Sequence, residues 1–152
     1  MKTTKIVLLF LIISFLFSPL KITGQDVNVT KLIGKKLDSA ISKLGKPSHQ
    51  DRSNKDMECV FYKSKTHQII LVANKSGIYQ AEGMKCYNTE KSALKLLNKI
   101  LMESLESGCT VDTVNVAEYN IDKTGVEANI LILKNSSSKK FEVRIKANSR
   151  ES

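Results

Sequence analysis

Histidine is nearly absent from this 152-residue chain, with His49 and His67 the only two. No Gly-x-Ser-x-Gly elbow, glycine-rich phosphate loop or His-Glu-x-x-His run occurs either, so the hydrolase, nucleotide and zinc-protease signatures are all missing. The longest apolar stretch, Ile6 to Phe17, is too short for a hydrocarbon core that needs about 20 helical residues. No cysteine stands near its polar exit through Ser18, Pro19, Thr23 and Gly24, which removes the acceptor for lipid attachment. Cysteine is scarce and odd in number, at Cys59, Cys86 and Cys109, so at most one internal disulfide forms and one thiol is left over.

What is present at the start is Lys2 and Lys5, then the apolar run, then small polar residues. This reads as a secretory signal peptide over residues 1–24, cut near Gly24 or Gln25. The expectation is a product secreted or periplasmic and soluble after cleavage. Residues 25–152 then form one domain, since about 127 residues suffice for a single core. Losing Lys2, Lys5 and Lys21 with no acid lowers the formal charge from +9 to +6. A moderately basic protein favours acidic partners without specifying a fold.

Apolar spacing predicts a helix over Leu37-Asp38-Ser39-Ala40-Ile41-Ser42-Lys43-Leu44, stopped by Gly45 and Pro47. A polar loop over 48–56 leads to a strand at Glu58–Tyr62. A second strand, Gln68–Ala73, is apolar on both faces through Ile69-Ile70-Leu71-Val72, so both faces are expected to be covered. Asn74-Lys75-Ser76-Gly77 then turns the chain into a third strand, Ile78–Cys86. The second helix opens at Asn88 or Thr89 and closes at Gly108. Three more strands follow at Thr110–Tyr119, Val126–Leu133 and Lys140–Ala147. The predicted fold is therefore α+β, two helices packed on one face of an antiparallel sheet. It is built from pseudo-repeated helix plus three-strand units at about 32–87 and 88–148. The last strand alternates Phe141, Val143, Ile145 and Ala147 with Glu142, Arg144 and Lys146, which leaves one face to solvent or to a partner.

Leu32-Ile33-Gly34, Leu37, Ile41, Leu44-Gly45 and Pro47, followed by strands, resemble the opening of the SmpA/OmlA (BamE) outer-membrane lipoprotein family. The tandem layout is similar to that of β-lactamase inhibitor proteins. The resemblance implies a non-catalytic exported domain that binds another protein, and it transfers no site residues. The chain departs from the lipoproteins in lacking the cysteine for acylation.

Candidate chemistry is sparse. His49, His67, Asp51 and Cys59 match no compact ligand spacing, so neither a metal nor any other cofactor is expected. The same His49, Asp51 and Cys59 would need to meet within hydrogen-bond reach to act as a hydrolase, and Cys59 reads instead as a structural thiol or half-cystine. Cys59 and Cys86 fall on strands of one sheet and are the favoured disulfide pair. Asn28, Asn74 and Asn135 begin N-glycosylation sequons. Lys134, Lys139, Lys140, Arg144, Lys146 and Arg150 form the one local charge cluster. The sequence thus points to a non-enzymatic exported module that binds a protein. The alternative is an anionic glycan or membrane surface held by the basic C-terminal strand. Nucleic acid is disfavoured because Phe141, the one aromatic of that strand, points to the core and leaves no stacking platform.

Overall fold

Period-two alternation governs most of this chain. The computed structural model describes residues 27–150, so the signal segment lies outside the described residues. Eight strands make one antiparallel sheet: β1 (His49–Asp51), β2 (Glu58–Lys63), β3 (His67–Asn74), β4 (Gly77–Tyr87), β5 (Thr110–Asn115), β6 (Glu118–Lys123), β7 (Val126–Lys134) and β8 (Phe141–Ser149). Their spatial order is β1-β2-β3-β4-β8-β7-β6-β5. Each run of four strands folds back on itself through short turns, and the last strand in sequence is the seam between the runs. The α-helices are α1 (Leu37–Leu44) and α2 (Glu90–Glu106), with a 3-10 turn at Val29–Leu32.

This corrects the α+β expectation of helix plus three-strand units. Among the described residues 47% lie in strands and 23% in helices, and no repeated unit is shown. Two local features explain the difference. His49–Asp51, expected as loop, pairs with β2 although all three residues are exposed, because ladder hydrogen bonds use only the backbone. The expected strand Thr110–Tyr119 is broken, because the Asn115 side chain accepts a 2.9 Å hydrogen bond from the Ala117 amide and turns the chain into a hairpin.

Side-chain parity then decides what is buried. Val60, Ile69, Leu71, Ala81, Ala128, Ile130, Val143, Ile145 and Ala147 share one sheet face and are buried. Both helices lie on that face. Tyr62 donates to the Gly45 carbonyl that ends α1 (3.1 Å), and Lys123 donates to the Ser107 carbonyl at the end of α2 (2.8 Å). Thr89 accepts from the Ser92 amide (3.3 Å) and caps α2, whose Ala93, Leu97 and Ile100 enter the core. Between the helices runs the segment from Val27 to Leu32, with Val27, Val29 and Leu32 buried. It crosses directly over Gly83, where a side chain would meet the Val27 carbonyl oxygen and Val29 Cγ1. Glu103 ties α2 to this segment by accepting from Lys31 (2.6 Å) and Asn28 (3.3 Å). The Lys31 bond is the main reason its carboxyl sits below the ordinary range.

Candidate functional site

The second face of the sheet receives no helix from the described residues. This corrects the expectation for β3: Ile69 and Leu71 are buried under the helices, while Ile70 and Val72 point to the uncovered side and are half-buried. Register assembles that side in rows. Phe61 stands opposite Ile70, then Glu82, Lys146 and Asn129 continue across the sheet. The neighbouring row reads Gln68, Met84, Arg144, Leu131. A shallow concavity of about 430 Å³ lies over Gln68, Glu82, Met84, Asn129, Leu131, Arg144 and Lys146. Phe61, Ile70, Val72 and Met84 on β2 to β4, and Leu131 and Leu133 on β7, are all half-buried on this face, with the charged row Glu142, Arg144 and Lys146 of β8 between the two groups.

One carboxylate organises the centre. Glu142 is 4% exposed although it belongs to this open side. Asn135 donates to its Oε1 (2.7 Å), and Arg144 donates through Nε (3.0 Å) and Nη2 (2.6 Å) to its Oε2. A buried acid is retained only when so engaged, and here it fixes the guanidinium of Arg144, which stands in the ladder between Met84 and Leu131.

Charge divides sharply between the two sides. The open face has seven acids, Asp51, Glu82, Asp112, Glu118, Asp122, Glu127 and Glu142, against Lys63, Arg144, Lys146 and the overreaching Arg150. Everything else in residues 27–150 has seventeen bases against six acids.

The structure therefore disperses the six basic residues singled out in the sequence. Arg144 and Lys146 lie on the open face and Arg150 reaches over its end, and all three are matched by acids, Lys146 lying 3.6 Å from Glu82. Lys134 has its ammonium over the Phe141 ring on the helix side of the sheet, 5.5 Å from the centroid. Lys139 and Lys140 occupy the β7–β8 turn. Arg150 sits at the far end of β8, about 30 Å from that turn at roughly 3.3 Å per strand residue. It donates to Glu127 (3.0 Å) and forms an out-of-line ion pair with Asp122 (2.8 Å), and these two acids hold its guanidinium above its ordinary range.

His49, Asp51 and Cys59 share one end of the open face but do not form a nucleophile and base. Asp51 stands opposite Cys59 in the ladder, and its carboxylate instead accepts the Ser53 amide (3.0 Å) and hydroxyl (2.7 Å), which push its pKa down. The His49 ring lies against Phe61, centroids 5.8 Å apart. Among the described residues no hydrogen bond joins the Cys59 thiol to an imidazole. His67 lies on the helix side beside Ser64, 2.8 Å from its hydroxyl; burial, helped by Lys85, lowers its pKa and keeps it neutral at pH 7. Among the described residues no group of three or more His, Cys, Asp or Glu is placed to hold a metal ion.

Cys59 and Cys86 are not brought together. Cys59 pairs with Val72 and Val72 with Gln80, six residues along β4 from Cys86, so about 20 Å of strand separates them. A disulfide needs Cα atoms roughly 4.4 to 6.8 Å apart. All three thiols are free, and burial, with Glu142 adding, pushes the Cys86 thiol up and keeps it protonated. Reducing agent is accordingly expected to leave the thermal midpoint unchanged, and thiol titration of the denatured chain to count three groups. A native bridge over that loop would contribute about 3 kcal/mol, so a fall of several degrees on reduction would refute the free-thiol arrangement.

No family model matches this chain, and no curated protein matches it. Among solved structures it is similar to a cysteine-rich secretory protein from Staphylococcus aureus, 13% identical with a TM-score of 0.41. That likeness covers 76% of this chain and 44% of the other, so the chain spans less than half the length of the protein it resembles.

Proposed function

We propose that this chain is an exported, non-enzymatic binding module that engages a protein partner through the open face of its sheet. The observation that carries the reading is the set of half-buried apolar side chains, Phe61, Ile70, Val72, Met84, Leu131 and Leu133, on a face no described helix covers. Uncovered apolar area of this kind marks an interaction surface, with the fixed Arg144 at its centre supplying a directional contact. The excess of acids on the same face suits a partner whose apolar patch is rimmed by basic groups. Export rests on Lys2, Lys5 and the run from Ile6 to Phe17. In line with this, no helix of the described residues is long and apolar enough to cross a membrane.

The test is affinity capture with the chain from Gln25 onward, as parent and as the Ile70→Asp, Leu131→Asp double variant. The expected result is a protein retained at high salt by the parent and bound at least about 30-fold more weakly by the variant, the scale of losing a hot spot of ~2 kcal/mol. Both positions are half-buried, so the thermal midpoint is expected to fall by several degrees, and capture is compared at a temperature where thermal melts show the variant still folded. Retention unaffected by the double variant, or capture only of acidic polymers that salt removes, would sink the proposal.

A further inference from the structure

We infer that the helical side of the molecule seats on an anionic phospholipid surface, with α2 lying in the headgroup plane. This surface is distinct from the open sheet face and from the C-terminal strand, and it uses the basic excess that the sheet face lacks. Lys91, Lys95 and Lys99 recur every fourth residue and so form one row along the outer side of α2. Beside that row Leu94, Met102 and Leu105 are exposed by 38%, 58% and 52%. Glu90 complements the helix dipole at the first turn, Glu103 is turned inward to Lys31 and Asn28 while lying 3.6 Å from Lys99, and Glu106 is the one exposed acid at the end of the lysine row.

Geometry favours lipid over an acidic protein as the occupant. The three apolar side chains span twelve residues, about 17 Å of helix, and are interleaved with lysines rather than gathered into one patch. A protein partner would need a matched pocket for each. An acyl boundary accepts each side chain separately, while lysine stems lie along the surface and keep their ammonium groups at the phosphates. Seated this way, the protein presents its open sheet face away from the lipid.

Co-sedimentation of the chain from Gln25 with vesicles of phosphatidylcholine, with and without phosphatidylglycerol, decides the matter. Binding is expected only where phosphatidylglycerol is present. A lysine near such a surface contributes about fivefold, so the triple variant Lys91→Gln, Lys95→Gln, Lys99→Gln should bind roughly 100-fold more weakly. Met102→Ser with Leu105→Ser should lose about tenfold. All five side chains are exposed, so thermal unfolding should match the parent and exclude misfolding as the cause. Ile70→Asp with Leu131→Asp should leave vesicle binding intact, which separates this inference from the binding reading above. Equal binding to phosphatidylcholine alone, an unchanged triple variant, or loss on substituting Lys134, Lys139 and Lys140 instead would overturn it. So would full binding by the Met102 and Leu105 variant, since charge alone would then suffice and any acidic polymer would serve.

Discussion

Gly83→Ala is expected to lower stability by about 3 kcal/mol and the thermal midpoint by roughly 10 °C. Gly83 lies in the middle of β4, paired to Ile69 on one side and Ile145 on the other, on the face packed by the helices. A Cβ there would be driven into the Val27 carbonyl oxygen and to 3.1 Å from Val29 Cγ1, so one of the two backbones must shift. Relief comes by lifting the segment, which exposes Val27 and Val29, now 1% and 0% accessible. Each such side chain is worth about 2 kcal/mol of burial, and alanine returns under 1 kcal/mol by stiffening the unfolded chain. Gly108→Ala is the control: its φ of 79° strains alanine, but nothing lies within 4 Å, so about 1 kcal/mol is the expected cost. Thermal melts of the two variants discriminate, and a Gly83 variant as stable as the Gly108 one would show that the crossing is not packed as described.

A chain ending after Ser138 should not fold at all. The lost strand, β8, has eight register partners in β4 and nine in β7, and it supplies Val143, Ile145 and Ala147 to the core. Without it the four strands β1 to β4 and the three strands β5 to β7 share no ladder, and two long edges that now pair inside the sheet become open to association. The apolar loss alone is about 5 kcal/mol, comparable to the whole stability of a small domain, before any ladder hydrogen bond is counted. Far-ultraviolet circular dichroism during urea titration should show no cooperative transition for the truncated chain. A sharp transition would mean that one run folds without the other.

The helix period at Leu37, Ala40, Ile41 and Leu44 was readable, as were the Gly45 and Gly108 stops, because these signals lie within a few residues of one another; the start of the second helix was legible only as Asn88 or Thr89, and the structure selects Thr89. β1 was invisible, since backbone pairing leaves no mark on exposed His49, Gln50 and Asp51. The apolar doubling of Ile69 to Val72 was read as two covered faces. It marks instead one core face and one face left for a partner, a distinction that local pattern does not contain. Cys59 and Cys86 looked close because they belong to one sheet, yet register alone sets their separation.

By itself the sequence determined the signal-like amino terminus, the absence of a recognisable catalytic constellation, the helices and the alternation that gives each strand an inner and an outer set. Tertiary structure decided that β8 stands between β4 and β7, that Gly83 lies under the crossing, and that acids gather on the open face while most bases lie elsewhere. The physical reason is range. Period and capping are properties of neighbouring residues, whereas strand order and register are chosen by which pairing buries the most apolar surface with every ladder hydrogen bond made.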